Sequence, residues 1–505
     1  RGRRGYPPVQ DALWQVHTPQ TVAQGLSARR RFIYQEFLVL QVALSLRRRE
    51  LRDRRRAPAL PVDQQIDERI RKLFPFPLTN DQNRVVAAIG KDMKQDRPMQ
   101  RLLQADVGAG KTAVAVYALL VAVANKHQAA LMAPTEVLAR QHWRTLETYL
   151  AQSRVRRLLL TGAITPKQRL KALADIRAGD VDLVVGTQAL VQADVEFARL
   201  GLVVIDEQHK FGVKQRALMR RLGVDPHYLV MTATPIPRTV ALTVFGDLDT
   251  STMRQLPPGR QPVVTKWLTE AQREKTYQDL RRRIEAGRQA YVVCPLVEES
   301  ETIEAKSAEA MHAELLAGPF HDLRVGLLHG RLDDQAKDRV MEDFRNRGLD
   351  ALVTTVVIEV GVDVPNATLM VIEQAERFGL SQLHQLRGRV SRGPVAGECY
   401  LFTGLPTDEA RQRLKVFTRT SDGFALAEED ARLRGLGEFF GTKQHGLGDL
   451  RFGDPIADRA ILEAAREDAI ALVADDAVLA KPEHTLLRKC VLERYGGSLD
   501  LAEIG

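Results

Sequence analysis

The feature that most constrains this 505-residue chain is the run Ala105-Asp106-Val107-Gly108-Ala109-Gly110-Lys111-Thr112, which follows an apolar stretch and opens a helical pattern. Small residues at Gly108, Ala109 and Gly110 let backbone N–H groups wrap a triphosphate, and the helix N-terminus adds positive potential. In such a P-loop Lys111 reaches the β- and γ-phosphates of ATP, and the Thr112 hydroxyl sits on Mg²⁺. Ala105 stands where the pattern begins with Gly, but it is small and the Gly-x-Gly-Lys-Thr core is intact.

A loop of this kind sits between a strand and a helix, and the surrounding sequence has that alternation. From Phe74 onward short apolar runs alternate with helical patterns, the mark of parallel α/β layering. Strands are expected at 102–103, 130–133, 158–160, 183–185, 202–205 and 229–231. The Pro-Pro-Gly turn at 257–259 reads as a linker, and a second series follows at 291–293, 325–328, 351–353, 369–372 and 400–402. The expected fold is α/β, with two parallel sheets of similar size. The divisions are a helical linker over 1–75, a first lobe over 76–258, a second over 259–404 and a helical region over 405–505 with a Gly-rich interruption.

Further groups complete a nucleotide site. Four aliphatics, Leu202 to Ile205, lead into Asp206 and Glu207. A carboxylate at a strand's C-terminal end is placed to hold the water shell of Mg²⁺, the role of Asp206, while Glu207 polarises the attacking water. Gln82, in a stretch that also reads as a helix N-cap, has an amide able to pair with both edges of adenine. Gln385, Arg389 and Arg392 stand at i, i+4 and i+7, which on a helix forms one face carrying a water-orienting amide and two cations for a γ-phosphate. Such a site closes only when two lobes meet, tying hydrolysis to domain motion.

Charge and cysteine usage narrow the setting. The chain carries 73 basic and 64 acidic residues, a formal charge of +9 that suits a polyanionic partner, although scattered surface lysines and arginines would give the same total. Between Arg29 and Arg56 ten arginines face three acids, and Ile33, Phe37, Leu40 and Leu44 recur at helical spacing. The apolar stripe needs a partner surface, so this helix reads as a brace against the next domain rather than as a DNA contact; Pro58 and Pro61 then break it. Cys294, Cys399 and Cys490 are too scattered for a disulfide framework or a zinc site and fit a reducing cytosol. The longest apolar run, 113–124, is shorter than the roughly 20 residues that span a bilayer, so no membrane partner is expected.

Taken in order, Gly108–Thr112, Ala133-Pro134-Thr135-Glu136, Asp206-Glu207-Gln208-His209, Thr232-Ala233-Thr234-Pro235 and Gln385 to Arg392 resemble motifs one, one-a, two, three and six of superfamily-two helicases. Thr234 to Thr239 and Glu359 to Asn366 narrow the resemblance to RecG and the transcription-repair coupling factor. The tail, with Ser421 to Glu428, Leu433 to Glu438 and Gly441-Thr442-Lys443-Gln444, resembles the translocation motif of the RecG family. The resemblance implies two tandem RecA-like lobes and a helical translocation module. It implies ATP-driven movement on double-stranded and branched DNA, with branch migration of Holliday junctions and fork regression in repair. Gly361 and Asp363 would link the nucleotide cleft to the DNA path, with His209 also coupling, while Arg413, Arg434 and Gln444 would turn lobe closure into a step. It further implies a bacterial cytoplasmic monomer, with DNA and single-strand-binding protein as partners.

Four positions depart from the family pattern: Gln188 for His, Ser391 for Gly, Leu436 for Pro and His445 for a small polar residue. None removes a catalytic group. RecG-like proteins begin with a wedge domain, and this chain opens about where that wedge would end. The transcription-repair coupling factor would be marked by an RNA-polymerase-binding domain upstream. The zinc cysteines of the primosomal helicase have no counterpart here. A DNA-binding scaffold with an inactive ATPase is opposed by the presence of Lys111, Asp206, Glu207, Arg389 and Arg392 together.

Overall fold

The computed structural model describes residues 4–496 except 54, 163, 207–224, 236, 238–242, 244–247, 296–300, 356–363, 391–394 and 435–449. In chain order the N-terminal helices are α1 (Val9–His17), α2 (Val22–Asp53) and α3 (Gln64–Arg71). The first lobe follows as α4 (Asn80–Met93), β1 (Gln100–Ala105), α5 (Lys111–Ala124), β2 (Gln128–Met132), α6 (Glu136–Tyr149), β3 (Arg157–Leu160), α7 (Pro166–Ala178), β4 (Leu183–Gly186), β5 (Leu200–Asp206), β6 (His227–Thr232) and β7 (Asp249–Met253). The second lobe holds β8 (Val264–Leu268), α8 (Arg273–Glu285), β9 (Gln289–Val293), α9 (Glu301–Ala317), β10 (Val325–Leu328), α10 (Asp334–Arg345), β11 (Ala351–Thr354), β12 (Ala367–Ile372), α11 (Leu380–Arg387) and β13 (Glu398–Phe402). Four helices complete the described chain: α12 (Asp408–Arg419), α13 (Gly423–Arg434), α14 (Arg459–Asp475) and α15 (Thr485–Tyr495).

Both sheets are parallel, as the alternation of elements requires. The first has seven strands in the order β3-β4-β2-β5-β6-β1-β7, and the second six in the order β10-β11-β9-β12-β13-β8. All eleven expected strands are present, and β7 and β8 are additions. Both additions lie on sheet edges, where only one side needs a ladder partner. Asp-Thr-Ser-Thr-Met in β7 has no apolar run to reveal it. It pairs with β1 from Arg101 to Ala105 and so backs the strand that delivers the P-loop. Helix α5 is buried from Ala113 to Ala122, which explains its unbroken apolar composition as core rather than membrane span. No helix among the described residues is long and apolar enough to cross a membrane.

The brace expected near the N-terminus exists, but its main partner is the far end of the chain rather than the adjacent lobe. Ile33 and Phe37 pack with Leu462 and Ala465, while Leu40 and Leu44 pack with Ala469, Val473, Val491 and Tyr495. Glu36 accepts from the backbone N–H groups of Arg451, Phe452 and Gly453. The basic end of α2 and the chain just after it tie this bundle to the first lobe. Arg48 pairs with Asp249, Arg55 with Asp225 at 3.0 Å, and Arg56 with Asp96. Arg48, Arg49, Arg56 and Arg97 line a cavity of about 730 Å³ here, where Arg49 also donates to the Val473 carbonyl at 2.7 Å. These contacts are those of a strap.

The second lobe contains a carboxylate that contributes to its acid sensitivity. Burial opposes ionisation of Glu398, yet Arg283, the Tyr400 hydroxyl at 2.8 Å and Arg288 at 3.1 Å outweigh it and hold the carboxyl down at about 2. A depressed carboxylate stabilises the fold above its ordinary value near 4.5, and that contribution is lost as pH falls towards 2. Glu398→Gln is therefore expected to cost about 1–2 kcal/mol at neutral pH, since solvent screens part of this half-buried cluster. In thermal melts the gap between variant and parent is expected to narrow steadily below pH 4.5; a gap independent of pH would refute the assignment.

Candidate nucleotide-binding and coupling site

The P-loop leaves β1 at Ala105 and turns into α5 at Lys111. Gly108 and Gly110 take φ of +78° and +82°, the left-handed region that disfavours any side chain. A Cβ on Gly110 would lie 2.4 Å from Gln82 Nε2, and one on Gly108 would strike the Arg260 guanidinium. The cradle is thus bare backbone by necessity, as phosphate wrapping demands. Thr112 follows Lys111 in the first turn of α5.

Asp206 ends β5, a strand buried along its whole length. Its Oδ1 lies 2.8 Å from Lys111 Nζ, and its Oδ2 lies 2.8 Å from His142 Nε2 on α6. Burial opposes the charge, but Lys111 and His142 more than compensate and keep the carboxyl well below the usual carboxylate range. The lysine and acid expected at the site are therefore brought together, and His142 is an addition. Its signal in the sequence is faint, because a histidine six residues into a helix looks like any amphipathic position.

Gln82 is buried beside the loop with both ends of its amide engaged. Its Oε1 accepts from Thr79 N at 2.8 Å in a capping box, and its Nε2 donates to the carbonyls of Ala109 and Gly110 at 3.2 and 3.3 Å. It is a cap and a P-loop buttress in this geometry. Reading adenine would require it to exchange those bonds.

The helix expected to carry Gln385, Arg389 and Arg392 on one face ends too early for that. Helix α11 stops at Arg387, and Arg389 N and Val390 N bond the carbonyls of Leu386 and Arg387, as in a tight turn. The reason is local packing. Gly388 is pressed against the P-loop, where a Cβ would come 2.2 Å from Val107 Cγ1. Arg389, the next residue, is buried within that turn instead of lying along a helical face. Arg392, Glu207, His209, Gly361, Asp363 and Gln444 lie outside the described residues, as do Ser391, Leu436 and His445 and the side chain of Arg434. Arg413 is placed at the foot of the second lobe, donating to the Glu376 carbonyl at 2.8 Å.

Other groups at the cleft carried no sequence signal. Arg260, just after the linker, donates to the Val107 carbonyl at 2.8 Å. Asp106 Oδ1 lies 2.5 Å from His384 Nε2, and its Oδ2 accepts from Gly423 N at 3.1 Å. Burial works against the Asp106 charge, but His384 and the backbone donors Gly423 and Val107 hold its carboxyl below the ordinary range. The loop of one lobe, a helix of the other and the first residue of α13 therefore meet at one side chain.

Two parallel-sheet lobes with a P-loop at their junction give the architecture of a tandem RecA-like helicase core. Consistent with that class, residues 79–243 match the DEAD/DEAH box helicase family and residues 272–393 the helicase conserved C-terminal domain. Residues 420–504 match the C-terminal part of domain 3 of ATP-dependent DNA helicase RecG. The chain is 46% identical over 487 residues to the ATP-dependent DNA helicase RecG of Synechocystis, covering 96% of this chain and 58% of that protein. Against the Bacillus subtilis protein of the same description it is 43% identical over 97% of this chain and 72% of the relative. A solved structure of RecG bound to a three-way DNA junction superposes with a TM-score of 0.73 at 42% identity, over 91% of this chain and 60% of that one. The chain belongs to the RecG family.

Proposed function

We propose that this chain is an ATP-driven motor that moves along double-stranded DNA and acts on branched substrates, in Holliday-junction branch migration and regression of stalled forks. The observation that carries the reading is the convergence, at one lobe junction, of the glycine cradle, the Lys111–Asp206 pair and the Gly388–Arg389 turn. Its extension to branched DNA is supported by family membership and by the tail that matches the RecG domain.

The chemistry follows from the groups in place. The N–H groups of 108–112 and the α5 N-terminus hold the β- and γ-phosphates, and Lys111 shifts from Asp206 to the phosphate oxygens. The oxygen donors fit Mg²⁺: a hydroxyl on Thr112 and a buried carboxylate on Asp206, kept ionised by its neighbours. Mg²⁺ is characteristically held by few protein ligands plus phosphate and water, and no cluster of three or more His, Cys, Asp or Glu is found among the described residues. When bound, the ion would neutralise charge on the transferring phosphoryl group. Glu207 would polarise the attacking water, and Arg389 with Arg392 would meet the γ-phosphate as the lobes close. Gln385 would help orient that water. DNA affinity would fall steeply with salt, because phosphate contacts dominate such binding.

The test is ATP turnover with no DNA, with linear duplex and with a four-way junction, using Glu207→Gln as the blank. Duplex is expected to stimulate turnover strongly and the junction more so, with both lost in the variant by about two orders of magnitude or more. Equal turnover on all three would remove DNA from the reading. Turnover unaffected by Glu207→Gln would remove the assigned site.

A further inference from the structure

We propose that Asp106 is a positioning residue that connects the nucleotide loop to both helices of the α12–α13 pair, to α13 directly and to α12 through His384 and Arg387, so that P-loop movement reaches that pair without passing through the second sheet. The inference rests on the motor reading above and concerns how its parts are joined.

Asp106 lies two residues before Gly108. One of its oxygens meets His384 Nε2 at 2.5 Å. The other accepts from the backbone of Gly423, the first residue of α13, at 3.1 Å, and Asp106 Oδ1 also receives Val107 N at 2.6 Å. A carboxylate at a helix N-terminus is held by the unsatisfied N–H groups and the helix dipole, so this contact is attractive as well as close.

The second arm runs through the imidazole. His384 Nδ1 lies 3.1 Å from the Arg387 guanidinium. That guanidinium is buried, donates to the carbonyls of Phe417 and Thr420 at 3.0 and 2.9 Å, and stacks 4.2 Å from the Phe417 ring centroid. Phe417 is in the last turn of α12 and Thr420 is its C-cap. A single P-loop carboxylate therefore reaches the end of α12 by one route and the start of α13 by another.

The node has no slack. A Cβ at Gly423 would lie 2.4 Å from His384 Nε2, 2.6 Å from Asp106 Oδ1 and 2.9 Å from Pro235 Cγ. When N–H groups of the loop rotate onto a triphosphate, Asp106 must carry α13 with it or give up its bonds. Packed, hydrogen-bonded contacts of this type have discrete arrangements and transmit displacement instead of absorbing it.

Hydrogen exchange read by mass spectrometry on the full chain tests the link directly, with Mg²⁺ and adenosine 5′-O-(3-thiotriphosphate) as probe. In the parent, nucleotide is expected to change exchange in segment 105–112 and in segment 420–428. Gly423→Val, which forces a side chain into the node, is expected to keep the first change and lose the second. Gly423→Ala and Asp106→Asn, milder changes, cover the case in which valine unfolds the region. Where the parent displaces a triplex strand, ATP consumed per strand displaced is expected to rise about tenfold in these variants. An exchange response at 420–428 that is absent from the parent, or unchanged in the variants, would overturn the proposal. Loss of duplex-stimulated turnover in the parent would instead count against the motor reading, which is a separate measurement.

Discussion

Arg389→Ala is expected to lower duplex-stimulated ATP turnover by about three orders of magnitude, the lower end of the range for an arginine that meets transferring phosphate from across a cleft. The residue is buried and follows Gly388, where a Cβ would strike Val107 of the P-loop, so the turn that carries it lies against the nucleotide loop. Binding of a fluorescent ADP analogue is expected to change by less than about threefold, because the cation acts on charge that develops at the γ-phosphate. Arg389→Lys is expected to recover little, since a point charge on a flexible stem does not reproduce a planar fork of donors. A variant that loses nucleotide affinity and turnover in parallel would show Arg389 to be structural.

Lys111→Ala is expected to remove turnover by about two to three orders of magnitude, the usual effect of deleting one preorganised donor to developing charge. It is expected to differ from Arg389→Ala in the ground state. Lys111 Nζ is 2.8 Å from Asp206, so its removal takes a cation from that buried carboxylate, which His142 also contacts. Nucleotide affinity is then expected to fall as well, by about tenfold or more, because the lysine contacts phosphate in substrate and transition state alike. Isothermal titration with ADP and with a non-hydrolysable triphosphate separates the two variants. Equal affinities in parent and Lys111→Ala would contradict the assignment.

The lobes and the first half of the nucleotide site were legible because their signals are local. A buried parallel strand is a run of aliphatics, a phosphate cradle is a run of small residues before Lys-Thr, and the carboxylate paired with that lysine ends a strand. The edge strand β7 escaped because an edge needs no apolar run, and its Thr-Ser-Thr content reads as loop. The expected face of Gln385, Arg389 and Arg392 was mistaken for a subtler reason. Spacing of i, i+4 and i+7 assumes an unbroken helix, and the glycine that ends α11 was needed for contact with Val107. His142, Arg260, Asp106 and His384 were silent because each is defined by a partner far away in the chain: Asp106 and His384 are 278 residues apart, and His142 and Asp206 are 64. Periodicity cannot see a contact made by two lobes.

The strap at the opposite end of the first sheet has a consequence for where motion can go. Helix α14 lies after the α12–α13 pair in the chain but packs on α2, which is fastened to the first lobe through Arg48 and Asp249, with Arg55 and Asp225 adding a second tie just beyond it. The pair itself stands on the second lobe, through Arg413 and the Glu376 carbonyl. The chain thus makes a closed linkage: one lobe, across the cleft to the other, out along two helices and back to the first lobe by way of its own beginning. In a linkage of this kind one member can be held as the frame, and turning another obliges the third to move along a set path. Rotation of the second lobe against a first lobe clamped at its far edge is then expected to become a stroke of α12 and α13, much as a crank fixed at one bearing drives its connecting rod.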